Sequence, residues 1–396
     1  MNIGGVIAEY NPFHTGHQYQ LAQMRQNGID RIAVVMSGNF VQRGDVAIQS
    51  KFSRARAAVQ GGADLVIELP TSFSLASAER FAYGGVSLLH ALGCVTTLSF
   101  GCEDANLPLL REIVHTLARP EADELIRSFL QEGSSYPSAR GAAIRTLLGD
   151  QAYELLKRPN NILAVEYLKA AEKLGASFDY LPILRRGAAH DSADGEAGFL
   201  SASEIRRWIS AGTVPDGALP DFSRNTMLEE MACGQLPAEV KNLERTLLYT
   251  LRRSTAEELR RLPDVSEGLE CRILNAAKSA TDLATLLDSI KSKRYPLARI
   301  RRILICALLG ITRDEPVQPP YIRVLACNSN GFDLLRTARH TAKLPVVMKT
   351  GDIRRLEPEK QTFFARECRF DDIYALACPA VQPCGVNQTA GVQIVQ

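Results

Sequence analysis

Two histidines near the amino terminus have the type and spacing to act on a phosphate. The motif His14-Thr15-Gly16-His17 follows an apolar run and opens a stretch with helical spacing. Residues at i and i+3 share a helix face, so the two imidazoles would lie on one side of the first turn. That turn presents free N–H groups and the positive end of the helix dipole, and Gly16 leaves room for a nucleotide. The motif therefore predicts phosphate binding and stabilisation of charge on a reacting phosphorus.

The histidine motif has two other interpretations, a buried helix start with incidental histidines or part of a metal site. Two of the six histidines of the chain fall here, which favours the phosphate interpretation. Glu9 and Asp64 are the nearest acids in the predicted layout, and neither has metal-ligand spacing with another residue. We expect no metal site made by the protein, and we expect Mg²⁺ to bind through the nucleotide phosphates.

A second motif, Ser201-Ala202-Ser203-Glu204-Ile205-Arg206, opens a later helix whose predicted apolar face includes Trp208. Ser201 and Glu204 have the spacing of a capping box, which needs no function beyond helix capping. The functional interpretation places Ser203 and Arg206 at a helix amino terminus, where they would hold outgoing phosphates. The presence of the histidine motif in the same chain favours this second interpretation.

Short apolar runs alternate with helical stretches in the first half of the chain and predict the elements that position these motifs. The predicted strands are Ile3–Ala8, Arg31–Met36, Asp64–Leu69, Val95–Phe100 and Phe178–Leu184, with Pro182 placing the last near an edge. The predicted helices span about 16–27, 50–61, 74–92, 107–131 and 160–174. This alternation is typical of an α/β fold with a Rossmann-like, doubly wound parallel sheet, whose ligands bind at the carboxyl ends of the strands.

The second half of the chain differs from the first in its predicted secondary structure and in its charge. We predict an adenylating domain at 1–213 and a mainly helical domain at 214–396, with short β-like pieces at 321–326 and 344–348. Residues 240–312 hold 14 Lys or Arg against eight Asp or Glu, and the run 291–302 holds six cations and Tyr295 but no acid. Such a run is typical of a phosphate-binding surface whose aromatic residue stacks on an unpaired base, although a solvated helical face has the same pattern.

Composition narrows the class of protein. The 396 residues are 46% hydrophobic and 23% charged with a net charge of +2, so any nucleic-acid contact requires a local patch. No apolar run is long enough to span a membrane, and the nine cysteines have no CxxC or zinc-finger spacing. We expect a cytoplasmic protein with reduced thiols and no membrane partner.

The motifs together resemble one family. Residues 5–17, 36–44, 64–70, 159–163 and 201–206 are similar, in order, to segments of the bacterial tRNA(Met) cytidine acetate ligases, within the HIGH nucleotidyltransferase superfamily. The resemblance is dense over about the first two hundred residues and looser beyond. It implies that ATP and acetate form acetyl-adenylate, and that the acetyl group passes to the N4 amine of the wobble cytidine of elongator tRNA(Met). Acetyl-coenzyme A is not expected to take part.

The resemblance also implies site residues. His14, His17, Ser203 and Arg206 would be catalytic. The ATP-binding residues would be Ile7, Ala8, Glu9, Tyr10, Asn11, Pro12, Phe13, His14, Thr15, Gly16, His17, Gln18, Tyr19, Gln20 and Gly101, with Asn160 or Asn161 and Arg185 or Arg186. Arg43, Lys51 and Arg54 follow the second strand. A role of Arg43 and Lys51 near the acetate carboxylate or the α-phosphate, and a role of Lys51 and Arg54 as solvated helix charges, are equally compatible with the sequence.

Two rival functions remain compatible with the sequence. One is another adenylating ligase or nucleotidyltransferase, which would act on a carrier thiol, a coenzyme or another small molecule. The other is a nucleotide-sensing RNA-binding protein without turnover. The long basic second half disfavours the first rival, and the complete set of His14, His17, Ser203 and Arg206 disfavours the second.

Overall fold

The computed structural model describes residues 1–185, 200–266 and 268–396. Its strands are β1 (Ile3–Ala8), β2 (Arg31–Ser37), β3 (Phe40–Val41), β4 (Asp45–Val46), β5 (Leu65–Leu69), β6 (Thr97–Cys102), β7 (Asp179–Leu184), β8 (Ile322–Cys327), β9 (Val346–Val347) and β10 (Gln393–Ile394).

The helices before the second motif are α1 (Thr15–Gln26), α2 (Lys51–Gln60), α3 (Thr71–Ser74), α4 (Ala78–Leu92), α5 (Leu107–Leu117), α6 (Pro120–Gln131), α7 (Tyr136–Leu148), α8 (Asp150–Leu156) and α9 (Pro159–Leu174). The later helices are α10 (Ala202–Ser210), α11 (Asp221–Ala232), α12 (Glu244–Arg253), α13 (Ala256–Arg260), α14 (Leu269–Ser279), α15 (Leu283–Ile290), α16 (Leu297–Leu309), α17 (Ser329–Thr341), α18 (Thr350–Ile353), α19 (Pro358–Tyr374) and α20 (Val386–Thr389).

The central sheet has the strand order β10-β8-β5-β2-β1-β6-β7, with β9 paired to β8. The five strands from β5 to β7 are parallel, as predicted, and β8 joins β5 in the antiparallel direction. The chain winds outward from β1 through β2 to β5, then crosses to β6 and β7 on the other side. This reversal leaves a crevice at the carboxyl ends of β1 and β6, which is where such sheets bind ligands.

The five predicted strands of the first half are confirmed, and β7 lies at the sheet edge as Pro182 suggested. The predicted helix at 74–92 is confirmed as α4, which begins later because the Ser77 side chain caps its start. One predicted helix was wrong as a single element: the 107–131 stretch divides at Pro120, which has no N–H to continue a helix. Helices α7 and α8 were not predicted.

The chain after the second motif first builds a helical unit and then returns to the sheet. Helices α12 to α16 pack their leucine and isoleucine side chains into a core of their own. The predicted β pieces at 321–326 and 344–348 are confirmed as β8 and β9, and β8 lies beside β5 in the central sheet. The division at residue 213 stays a prediction. In the described part of the chain, no helix is long and apolar enough to cross a membrane.

Candidate active site

The first turn of α1 holds the two motif histidines side by side. His14 is the helix cap, and its Nδ1 accepts a hydrogen bond from the Gly16 N–H at 3.0 Å. The Nδ1 of His17 accepts from the backbone N–H of His14 at 3.3 Å, and the two rings stack with centroids 3.8 Å apart. Because each Nδ1 is an acceptor, a neutral ring carries its proton on Nε2. Both histidines therefore offer an Nε2–H donor.

Electrostatics keep both rings neutral. Burial lowers the pKa of His14 to about 3, with further lowering from the charges of Arg185 and Arg206. Burial also lowers the pKa of His17, followed by the effects of His14 and Arg185. The Nε2 of His14 is buried and has no hydrogen-bond partner among the described residues. An unsatisfied buried donor is costly, so this atom is suited to an oxygen of a bound ligand.

The loop before α1 and the first turn of that helix pack against the two histidines. A Cβ at position 16 would lie 2.8 Å from the Cε1 of His14, so only glycine fits there without displacing the ring. The rings of Tyr10 and Phe13 are buried and lie 4.7 and 5.8 Å from His17 between centroids. These two side chains belong to the core, which leaves their backbone for any ligand contact.

The second motif meets this loop directly. Arg206 donates from Nη1 to the Asn11 carbonyl at 2.6 Å and from Nη2 to the Ser203 hydroxyl at 3.2 Å. Ser201 and Glu204 also form the capping box that their spacing predicted. The cap and the approach to the histidine loop therefore coexist in one helix start. The predicted apolar face was wrong at Trp208, whose side chain is 52% exposed.

The carboxyl ends of β6 and β7 contribute the opposite side of the crevice. Arg185 follows β7, donates to the Asn160 Oδ1 at 3.3 Å, and lies close enough to Gly101 that a Cβ there would be 3.5 Å from its Cγ. Asn161 is fully buried, and its Oδ1 accepts the backbone N–H groups that follow Cys102, at 3.0 and 3.3 Å. Arg186 lies outside the described residues.

The structure thus brings together His14, His17, Ser203, Arg206, Asn160 and Arg185 around one crevice. Of the remaining predicted residues, Ile7 and Ala8 end β1, Glu9, Asn11 and Pro12 form the loop, and Thr15, Gln18, Tyr19 and Gln20 lie on α1.

Glu103 was missed from the sequence and Arg54 was considered only as a solvated charge, yet both support the crevice. Glu103 accepts from the Asn160 Nδ2 at 2.6 Å and from the Asn161 N–H at 3.1 Å. Arg54 is fully buried and donates to the carbonyls of Ser37 and Gly38, among others, behind the crevice. The signal for Arg54 was its place three and four residues from other buried positions of α2.

Lys51 and Arg54 are not solvated charges, and that interpretation was wrong. The Lys51 ammonium is fully buried between Glu68 and Asp371, each at 2.6 Å. Two carboxylates already compensate its charge, which argues against a third anion there. Arg43 is exposed at the surface.

The basic run 291–302 is only partly a free surface. Tyr295 is 8% exposed within the helical core, so the expectation that it stacks on a base was wrong. Arg302 pairs with the Asp264 carboxylate at 2.8 Å, and Arg299 donates to the carbonyl of the same residue. The exposed cations of the run are Lys291, Lys293 and Arg294.

The whole chain is similar to known proteins. The family model for HIGH Nucleotidyl Transferase matches residues 1–389. The tRNA(Met) cytidine acetate ligase of Thermoanaerobacter sp. (strain X514) is 36% identical over 386 residues, 95% of this chain and 96% of that protein. The one from Acetivibrio thermocellus is 35% identical, with 100% of each chain covered.

Solved structures agree with the sequence relatives. The crystal structure of Thermotoga maritima TmcAL bound with alpha-thio ATP superimposes with a TM-score of 0.91 at 30% identity, covering 100% of both chains. The apo form of the same protein gives 0.93 at 29% identity, again over both full chains. This chain belongs to the HIGH nucleotidyltransferase family, and within it to the tRNA(Met) cytidine acetate ligases.

Proposed function

We propose that this protein is an ATP-dependent ligase that activates acetate as acetyl-adenylate and transfers the acetyl group to the N4 amine of the wobble cytidine of elongator tRNA(Met). The observation that carries the proposal is the buried Nε2–H of His14, which has no hydrogen-bond partner among the described residues and lies within the influence of the Arg185 and Arg206 charges. The relatives named for this reaction support the choice of acetate and tRNA.

In the first step an acetate oxygen attacks the α-phosphorus of ATP, the bond to the bridging oxygen breaks, and pyrophosphate leaves. Negative charge develops on the α-phosphate oxygens in this step. The Nε2–H groups of His14 and His17 donate hydrogen bonds to these oxygens. Because both rings are neutral, they donate hydrogen bonds without giving up a full proton. Ser203 and Arg206, at the start of α10, hold the departing phosphates.

The ATP contacts come from three segments of the crevice. The loop and first turns of α1, residues 7–20, supply backbone N–H groups and the histidines, and Gly101 lies on β6 opposite. Either Asn160 or Asn161 contacts ATP: the Asn160 amide is paired with Glu103 and Arg185, and the Asn161 Nδ2 is buried with no hydrogen-bond partner among the described residues. Arg185 contacts Asn160 and completes this side.

Magnesium reaches the site on the ATP phosphates in this proposal, where it neutralises their charge. Over residues 1–185, 200–266 and 268–396, no three His, Cys, Asp or Glu side chains are grouped so as to hold a metal ion. Acetyl-coenzyme A has no part in the proposed scheme. The exposed cations Lys291, Lys293 and Arg294 contribute to tRNA binding.

Acetate-dependent exchange of labelled pyrophosphate into ATP, without tRNA, tests the activation step. The purified protein should catalyse this exchange, and Arg206→Ala should raise the KM for ATP and reduce turnover. Arg354→Ala, at an exposed arginine outside the crevice, is the matched control and should leave both unchanged. Absence of any acetate-dependent exchange in the unmodified protein would contradict the proposal.

A further inference from the structure

A cavity of about 460 Å³ lies beside the second motif and extends beyond the ATP contacts proposed above. Its walls are the β3–β4 hairpin, one face of α10, residues 238–241 and helix α16. Ser203 and Arg206 line it, and Arg206 also contacts the histidine loop through the Asn11 carbonyl. The cavity therefore adjoins the place where the proposed acetyl-adenylate forms.

The floor of the cavity is apolar and suits a flat ring. Val46, Ile48, Leu247, Leu304 and Ile305 line it, and all five are buried. Sites of a few hundred Å³ with apolar walls and a few polar groups are typical of small-ligand pockets. The volume exceeds what one pyrimidine ring needs, leaving room for its ribose.

Two carboxylates supply the polar groups of this cavity. The Oδ1 of Asp45 accepts the Val46 N–H at 2.9 Å, and its Oδ2 accepts no hydrogen bond from the described residues. Glu239 accepts the hydroxyl hydrogen bond of Ser210. Carboxylate acceptors match the exocyclic amine of cytosine, which is a donor, and mismatch the O4 of uracil, which is an acceptor.

Cations lie around the same opening. Arg207 and Lys241 line the cavity and are exposed, and Arg301 lines it from α16. Such side chains pair with backbone phosphates, which position a nucleic acid while the pocket reads the base. The exposed ring of Trp208 is adjacent to Arg207 in α10 and is available to stack on a neighbouring base.

We propose that this cavity receives the acceptor cytosine, unstacked from the RNA, and that Asp45 and Glu239 read its exocyclic amine. The inference rests on the proposed function. In the transfer, N4 forms a bond to the acetyl carbon, and that carbon's bond to the phosphate oxygen breaks. AMP leaves with the electron pair, and the surplus proton of N4 passes to the Asp45 carboxylate.

The test compares two half-reactions in the full-length protein. Asp45→Asn keeps the shape of the side chain and should leave acetate-dependent pyrophosphate exchange within twofold. It should lower the rate of acetyl transfer from preformed acetyl-adenylate to tRNA by roughly 10- to 100-fold, the range expected when a specific hydrogen bond to a base is removed. Asp288→Asn, at an exposed acid outside the cavity, is the matched control and should change neither rate.

A second variant blocks the cavity and keeps both carboxylates. Either replacement of Ser210 removes its hydrogen bond to Glu239, so the two replacements differ in whether the opening is filled. Ser210 lies at the exposed rim, so Ser210→Trp should fill the opening and abolish transfer, whereas Ser210→Ala should keep the cavity open and retain it. Both variants should retain pyrophosphate exchange. Undiminished transfer by both Asp45→Asn and Ser210→Trp would overturn the inference. Loss of exchange in the unmodified protein would instead overturn the proposed function.

Discussion

His17 contacts the rings of His14 and Tyr10 and carries one of the two proposed donors to the reacting phosphate. Replacing it by alanine removes one donor to the transition state and keeps the rest of the crevice. We expect His17→Ala to slow adenylate formation by roughly 10²- to 10³-fold, as for removal of one oxyanion donor, with a much smaller effect on ATP binding. Pre-steady-state release of pyrophosphate and a separate binding titration measure the two quantities.

The surface residue His115, 63% exposed, gives the matched control for this change. His115→Ala should leave adenylate formation and ATP affinity unchanged. An equal loss of affinity and rate in His17→Ala would contradict a transition-state role and indicate ground-state binding only.

The neutral state of His14 also affects stability. Its folded pKa of about 3 lies below the ordinary value of 6.5, so the unfolded chain binds more protons between those two values. The contribution of His14 to the free energy of unfolding is therefore present above its unfolded pKa and is lost as the pH falls towards its folded pKa. When the pH is lowered from 7 to 5, this single group should decrease the free energy of unfolding by about 2 kcal/mol.

Urea unfolding at the two pH values measures this contribution. The same measurement on a variant that lacks His14 gives the change due to all other groups, which is then subtracted. His14→Asn is suited to that purpose because asparagine also caps a helix start and does not titrate. The unmodified protein should lose about 2 kcal/mol more than His14→Asn on acidification. Equal losses would mean that His14 is protonated in the folded protein.

At the scale of single elements, helix α2 joins the amino-terminal half to α19 through a buried charge. Lys51 lies between Glu68 of β5 and Asp371 of α19, and burial raises the pKa of Asp371 to about 6 despite the ammonium beside it. Removing one partner of a buried ion pair leaves an uncompensated charge. We expect Lys51→Met to lower the free energy of unfolding by roughly 3–5 kcal/mol.

Lys278→Met, at an exposed lysine of α14, is the matched control and should change the free energy of unfolding by under about 0.5 kcal/mol. The folded fraction of Lys51→Met should keep its KM for acetate, measured below its melting range. A strong increase in that KM with unchanged stability would instead place Lys51 at the acetate.

The elements of the first half were predictable because their strands are short, apolar and separated by turn residues. The start of α4 after Ser77 and the division at Pro120 were also readable from capping and proline rules, although they were not predicted. The burial of Lys51 was not predictable, because Asp371 comes from a distant segment, whereas the spacing of Arg54 from other buried positions of α2 was a usable signal. Asp371 lies 320 residues from Lys51, and no local pattern links them.

At the scale of the whole molecule, the charge of the second half is divided between packing and surface. Arg299 and Arg302 are used in internal contacts with Asp264, which the count of cations alone did not reveal. The exposed cations Lys291, Lys293 and Arg294 remain available for the proposed contact with RNA. Periodicity identified the helices, but only their packing decides which cations face solvent.

Changing Lys291, Lys293 and Arg294 together to glutamine should leave pyrophosphate exchange unchanged and weaken tRNA binding. The slope of log affinity against log salt should flatten by about 0.7–0.9 for each phosphate that the variant no longer neutralises. Filter binding over a range of salt concentrations measures this slope. The matched control neutralises Arg336, Arg339 and Lys343, a comparable exposed set on and after α17. An unchanged slope in the first variant together with a flattened slope in the control would place the RNA surface near α17.

The central claim is that one crevice makes acetyl-adenylate and delivers its acetyl group to tRNA. The most direct measurement incubates the protein with ATP and labelled acetate, with and without total bacterial tRNA, and follows the label. We predict label in acetyl-adenylate without tRNA, and in N4-acetylcytidine of elongator tRNA(Met) when tRNA is present. Label that enters acetyl-adenylate but never tRNA, or that enters neither, would contradict the account.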